Sequence, residues 1–587
     1  MTNRQLGLLG FWLLLGGVAL SCGSDDGKKR SQGAESGAGG ALGEAGSGQN
    51  PDAGGSANVG GEPSTPSEGG TGTGEVGGSS GNDAAGAGGV SEEPEPNPLD
   101  RWLDPAAGAD TNDGTSAPVA FRTLSHALSE MESGGTLWLL DGTIGAGSGE
   151  PSTGGYTTLD IPDGVNVRAV NDGAVTIGEG LAGANPPSFQ FLGSGSLRGV
   201  SFDGVAIPIK ASTGVVELEA LTFANSGGGC DSFTRATLDL SGDVQVTLTA
   251  GSVTEYAGAG SNVKSFAYLA DSASLKVVGG SLTSLAAGGC SPRHHFALLG
   301  SAKLELDGVD IADAAETARG GVVSLVGPNT ELVMTGSSIV GGAASAPAIY
   351  ADGGGSPHIT LVDSTISDNT VAGLQLGSEN GPLSPVMSLS NTTISNNRYG
   401  FLSTNPYGPA TVDLTITDST IVDNDIAAFH LTFGGTIDIE GGELSRNGDN
   451  QDTYWGTYGG LYLNSYGPSH VFDVRLRGVS VNDTPSFGGL TTAGVLVRAV
   501  AGSTIDLGTV DDPGDNTFTG SVRTGVELMT GNAATVSAVG NTWNPSVQAA
   551  SAAGKYTAPA GTQTSVTSGT GTNYIVTAGT LILAETP

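Results

Sequence analysis

Between Val216 and Asp483 the apolar residues keep one arrangement: two side chains two positions apart, a short polar turn, then one more. The triplets begin Val216/Leu218/Phe223, Val246/Leu248/Val253, Leu275/Val277/Leu282, Leu304/Leu306/Ile311 and Leu332/Met334/Ile339. They continue Ile359/Leu361/Ile366, Met387/Leu389/Ile394, Leu414/Ile416/Ile421, Ile437/Ile439/Leu444 and Phe472/Val474/Val479. The third members follow one another at intervals of 30, 29, 29, 28, 27, 28, 27, 23 and 35 residues. Residues at i and i+2 share one face of a strand, so each pair reads as a strand with its apolar side turned inward. Gly, Asn, Asp and Ser fill the gaps, and no helical spacing of apolar residues appears between triplets. A strand-only repeat of this length predicts an all-β solenoid, a right-handed parallel β-helix whose coils stack at about 4.8 Å. One coil cannot bury its own triplet, so stability has to come from its neighbours.

A second row follows the same register. Three residues after the third member stand Asn369, Asn397, Asn424, Asn447 and Asn482. Stacked Asn side chains hydrogen-bond along the coil axis and tolerate the left-handed turn conformation, so the row predicts an asparagine ladder. With these features the chain resembles the pectate-lyase-like right-handed β-helix superfamily.

The flanks differ in composition. Residues 1–22 combine Arg4, an apolar run from Leu6 to Leu20, and Val18-Ala-Leu-Ser-Cys22. The run is too short for a comfortable membrane-spanning helix and reads as a signal segment. Its end resembles a bacterial lipobox, which implies cleavage before Cys22 and a lipid anchor on that residue. Gly23 follows the Cys in place of the Asp that would resemble an enterobacterial inner-membrane retention signal, which leans the expectation towards the outer membrane or cell surface. Residues 23–97 are Gly, Ala, Ser, Glu and Pro with few large apolar residues, a disordered tether whose r.m.s. reach is about 45–50 Å.

Residues 98–160 are expected to form the N-terminal cap and first strand, 161–545 the β-helix, and 546–587 a C-terminal cap or trailing strands. In the cap, Thr123 is placed to N-cap a short helix whose Leu124, Ala127, Leu128 and Met131 fall on one face. Gly134-Gly135 ends it, Thr136 to Leu140 reads as the first strand, and His126 falls on the polar side. Asp100 to Gly145 resembles the opening of an uncharacterised bacterial β-helix family, one catalogued as a domain of unknown function. Asp104, Asp110, Asn112 and Asp113 precede Gly114 but miss the spacing of a calcium loop, and are read as Asx turns.

The formal net charge is −37, which argues against nucleic acid, whose phosphates need clustered Lys and Arg. Of the three Cys, Cys22 is assigned to lipid, leaving Cys230 and Cys290. These sit at nearly the same coil position two coils apart, about 9.6 Å by strict stacking and beyond the span of a disulfide. Both lie in Gly-rich loops that allow them to lean together, and an oxidising compartment favours the bridge. A monomer is expected.

Chemistry is harder to locate. The Gly-His-Gly and Arg-Ile-Lys signatures that mark polygalacturonases are absent from the sequence. Cys290-Ser-Pro-Arg293-His294-His295 is the densest cationic spot and is read as a surface loop, since adjacent His on a strand face opposite ways. Two residues after the third member stand Asp368, Asn396, Asp423 and Arg446, with Arg398 nearby. This column could serve a polysaccharide lyase or glycosidase, with calcium as the one cofactor in view, although consecutive Asp are a whole coil further apart than one calcium allows. The 35-residue interval holds an insertion, Arg446 to His470, where Tyr454, Trp455, Tyr458, Tyr462 and Tyr466 gather in a chain that is only 5% aromatic. With Asp449 and Asp452, the residues Tyr454, Trp455 and Tyr458 offer stacking faces and polar partners for sugar rings. The preferred reading is therefore a lipid-anchored surface module that binds polysaccharide without catalysis. A lyase or glycosidase and a structural spacer or adhesin are the alternatives.

Overall fold

The computed structural model describes residues 97–582 apart from connecting segments. Those left out are 151–157, 179–187, 204–208, 225–235, 255–264, 284–294, 313–320, 342–345, 353, 378–381 and 405–409. The others are 449–458, 466, 483–492, 500–501, 520–523, 529–534, 544–554, 559–563, 569–570 and 577–578. The described residues fall in one compact unit, Gly88–Pro587. The coils send strands in turn to three parallel faces, here sheets A, B and C; B is interrupted at the Leu444 coil, where Glu443 bridges Thr420 on one side and Ser480 on the other. Sheet A includes Thr136–Leu139, Val165–Ala169 and the first pair of every triplet; sheet B starts at Gly142–Ile144 and takes the third members; sheet C starts at Thr158–Ile161.

The triplet rule is what stacks the coils. Val216 and Leu218 lie over Val246 and Leu248, and these over Leu275 and Val277, with the same registry as far as Ile437 and Ile439. The third members stack in sheet B from Phe223 to Ile421. Apart from Val253, whose side chain is not described, all are buried, and inside the coil Phe202 stacks on Phe223 at 5.4 Å while Phe401 stacks on Phe429 at 4.7 Å. Full burial of such a side chain contributes about 1.5–3 kcal/mol, and each one is covered by the coils on both sides.

The tenth triplet is two residues out of register. Ile437 and Ile439 pair with Val474 and Leu476, and Val481, not Val479, enters sheet B opposite Phe518. A two-residue shift keeps every side chain on its own face, so alternation alone cannot reveal it. Asn482 consequently lies in the strand Ser480–Asn482 and leaves the ladder, accepting from the Thr519 hydroxyl. The other four Asn do form one. Asn369 donates its backbone N–H and side-chain amide to Asn397 Oδ1 at 3.0 and 2.8 Å, and Asn424 donates likewise to Asn447 at 3.1 and 2.9 Å. On the opposite edge of sheet B a hydroxyl row does similar work: Val309 N–H reaches Ser337 Oγ at 3.0 Å and Thr392 N–H reaches Ser419 Oγ at 3.1 Å.

At the N-terminal end a helix, Leu124–Ser129, buries Leu124, Ala127 and Leu128, with Met131 just beyond. Thr123 caps it, its hydroxyl accepting from the His126 N–H at 3.4 Å. His126 itself packs edge-on against Phe121 at 4.9 Å. Buried Glu150 accepts from the N–H groups of Leu124 and Ser125, and its burial pushes the carboxyl above its ordinary range. The Asx-turn reading of the acidic cluster corresponds to contacts within the cap. Asp104 accepts from Ala106 and Ala107, Asp113 from Thr115, and Asp110 from Arg122 and Thr123. Partial burial works against ionised Asp110, but those hydrogen bonds outweigh it and hold the carboxyl below its usual range. Gly114, at φ +66°, is fixed by contact: a Cβ there would stand 2.2 Å from the Phe121 ring.

Thr136–Leu139 is preceded by a strand missing from the sequence reading, Arg101–Leu103, which pairs with it in parallel. Its own outer edge is taken by the segment ending at Phe121, through Trp102 N–H to Gly114 O at 2.8 Å and Phe121 N–H to Trp102 O at 2.8 Å. Far along the chain, Lys555–Ala558 and Thr564–Ser568 run antiparallel to strands that extend sheets A and C. His295 is a correction: it is completely buried, and its carbonyl and N–H belong to the sheet C ladder, whereas Arg293 and His294 lie outside the described residues.

Candidate functional site

The column Asp368, Asn396, Asp423 and Arg446 is a column of turns. All four take left-handed backbone, with φ between +53° and +61°, at the corner between sheets B and C immediately ahead of the ladder asparagines. Three of the four side chains, those of Asp368, Asp423 and Arg446, are committed to one another or to neighbours. Arg446 donates Nε and Nη2 to the two Asp423 oxygens at 2.7 and 2.9 Å, and Nη1 to Glu443 at 3.2 Å. The Asp423 hydrogen bond raises the guanidinium further above its already high pKa, so Arg446 is no proton acceptor. Asp368 accepts from the Ser367 hydroxyl at 2.7 Å. Arg398 is exposed beside Asn397, its N–H bonded to Asn369 O at 3.3 Å. Among the described residues no group of three or more His, Cys, Asp or Glu side chains is placed to hold a metal.

The insertion residues Asp449, Asp452, Tyr454, Trp455 and Tyr458 lie outside the described residues, as do Cys22, Cys230 and Cys290. Tyr462 is described. Leu461 and Leu463 beside it are in the core, and Tyr462 faces outward yet is buried, packed 4.9 Å from His430.

A different place gathers binding chemistry: the outer face of sheet A at its N-terminal end. Register lines up Trp102, Trp138, Arg168, Arg198 and Glu219, one per coil, with Thr136, Asn166, Ser196 and Glu217 in a parallel row. From Trp138 onward these residues border an open recess of about 310 Å³. Trp102 and Trp138 stack with ring centres 5.9 Å apart and planes at 26°, and the Arg168 guanidinium carbon stands 5.4 Å from the centre of the Trp138 ring. The tryptophans are half-buried and Arg168 is exposed.

Electrostatically Arg168 differs from other cations on this face. Arg198 is held by Asp172 at 3.1 Å and Glu219 at 3.2 Å, and the Asp172 hydrogen bond raises its pKa. Lys303 is bound to Glu331 at 2.9 Å, Arg475 to Asp438 at 3.0 Å, and Arg477 to both Asp506 and Asp512 at 2.7 Å. Arg168 makes no ion pair among the described residues, and rests on an indole instead. Ser196 Oγ donates to Asn166 Oδ1 at 2.7 Å, leaving the Asn166 amide N–H groups at the recess.

The family model described as "Right handed beta helix region" matches residues 295–466 and 347–543. The fold is a right-handed parallel β-helix. No curated protein matches the sequence. Among solved structures the β-helix is similar to the A-module of a mannuronan C-5 epimerase from Azotobacter vinelandii, at 15% identity and TM-score 0.34, over 72% of this chain and 94% of that one. It is similar to the Dettilon tailspike protein at 14% identity and TM-score 0.34, over 75% and 67%. A mannuronic acid specific polysaccharide family 6 lyase from human gut microbiota gives 10% identity and TM-score 0.33, over 72% and 87%. Scores below 0.5 leave the function to this chain's own residues.

Proposed function

We propose that the chain is a non-catalytic, lipid-anchored surface module that binds an acidic polysaccharide in the sheet A recess. The observation that carries this reading is the half-exposed Trp102–Trp138 stack with Arg168 laid over it. Sugar C–H groups pack against the exposed part of such an indole stack, amides and hydroxyls such as Asn166 and Ser196 meet sugar OH groups, and an exposed guanidinium with no carboxylate partner among the described residues attracts an acid group. In a chain of net charge −37, a cation without an acidic partner among the described residues is a specific attraction for an anionic ligand.

The anchor rests on the sequence around Cys22, with the tether to about residue 97 giving the β-helix its reach; an extracytoplasmic position at the outer membrane or cell surface goes with it. Calcium enters this reading only as a bridging ion for the ligand. Against the lyase or glycosidase alternative stands the pairing of Asp423 with Arg446, which commits two of the four residues, Asp368, Asp423, Arg398 and Arg446, on which that chemistry would draw. The proposal is tested by electrophoresis of the purified protein through gels containing polygalacturonate or neutral dextran. Retardation by polygalacturonate, weakened by salt because Arg168 is exposed, supports it. Equal mobility in both gels refutes it.

A further inference from the structure

We infer that Asp100 is a positioning residue that aims the Trp138 indole, an inference that rests on the polysaccharide reading of the recess. Leu137 and Leu139 fix Trp138 on the outer face of its strand, but alternation does not choose among the rotamers an outward indole can take. Asp100 makes the choice. Its Oδ1 accepts from the Thr136 backbone N–H at 2.9 Å, which ties the carboxylate to the start of that strand. Its Oδ2 accepts from Trp138 Nε1 at 3.0 Å, which turns the indole N–H towards the cap and its ring along the outer row. Held there, the ring meets Trp102 on one strand and Arg168 on the other.

The backbone that carries the carboxylate is itself held in place. Asp100 N–H donates to Asn97 O at 2.9 Å, and Arg101 Nη1 folds back onto the Asp100 and Pro98 carbonyls at 2.8 and 3.0 Å. Asp100 does not border the recess, so any effect it has on ligand passes through the strand it holds, by the Thr136 backbone and the Trp138 indole. The chemistry also separates this role from a generic surface carboxylate. A two-oxygen acceptor is needed, because two N–H groups are served at once, and an amide at this position offers one oxygen and one competing donor.

The test compares the full chain with Asp100→Ala, Asp100→Asn, Trp102→Ala and Trp138→Ala, first without ligand and then on immobilised polygalacturonate. Two stacked indoles give an exciton couplet in the circular dichroism spectrum, which reports their mutual orientation whether or not any sugar binds. Asp100→Ala is expected to abolish the couplet as fully as Trp102→Ala does, and to weaken polygalacturonate retention by about tenfold, close to the loss for Trp138→Ala. Asp100→Asn keeps one acceptor and is the fallback if the Ala variant loosens the cap; it is expected to diminish the couplet with the unfolding midpoint nearly unchanged. An unaltered couplet in both Asp100 variants overturns the positioning role. Should Trp138→Ala leave retention intact, the polysaccharide reading fails, and the couplet still decides on Asp100.

Discussion

Asn424 holds Asn397 twice: its Oδ1 accepts from both the backbone N–H and the side-chain amide of Asn397, each at 3.1 Å. Both residues are completely buried, so neither donor has water to turn to if the acceptor is removed. Asn424→Ala is therefore expected to cost about 2–4 kcal/mol, since unmet buried donors are penalised individually. Asn396→Ala, one residue before the ladder and exposed, is the control; it forfeits only an easy left-handed turn, about 1 kcal/mol. Chemical-unfolding midpoints of the two variants check the difference. Equal shifts would mean that the ladder adds nothing beyond the turn.

The Arg446–Asp423 pair belongs to the surface. Both side chains are more than a third exposed, at 48% and 40%, so the attraction is screened and the pair is worth at most about 1 kcal/mol. Asp368→Asn combined with Asp423→Asn keeps residues that accept left-handed backbone, and should barely move the melting temperature. It should also leave polygalacturonate retention unchanged, because neither residue borders the recess. Loss of a measurable polysaccharide-cleaving activity in this double variant, at constant melting temperature, would instead establish the enzymatic alternative.

His430 makes stability depend on pH. Burial among Tyr399, Tyr462 and their neighbours lowers its pKa from 6.5 to about 4. The unfolded chain then takes up the proton more readily than the folded one, so the full stability is present above about pH 6.5 and declines as pH falls towards 4. The integrated loss is about 3 kcal/mol. His430→Gln should remove most of that slope from unfolding free energies measured between pH 7 and 4. Parallel profiles for the two proteins would place the acid sensitivity elsewhere.

How far these features were legible in the sequence depends on how each repeats. The Val216-to-Ile439 pairs and the Asn369-to-Asn447 ladder recur every coil with a fixed offset, so their stacking could be read off spacing alone. The Val479/Val481 slip was hidden because it preserves alternation, and His295 because neighbouring loop composition outweighed its place at the head of a strand. The recess was invisible for another reason. Trp102, Trp138, Arg168 and Arg198 come from coils whose lengths vary, and each is an ordinary outward residue beside buried ones. The signal that could have found them was the outward position of each early strand, read as a column: Trp between Leu137 and Leu139, Arg between Val167 and Ala169, Arg after Leu197. The turn column is legible in the sequence because it repeats one residue ahead of the ladder, and that common origin is why it serves the fold.

The most direct measurement of the central claim is retention and chain cleavage read from the same tubes. The intact protein, Trp138→Ala and Arg168→Ala would each be incubated with polygalacturonate and with dextran, assaying bound protein and newly formed chain ends together. The recess account predicts retention by polygalacturonate only, no new ends, and a loss of about tenfold in each variant, with the Arg168 variant also losing its dependence on salt. Undiminished retention in both variants, or new chain ends from the intact protein, would contradict it.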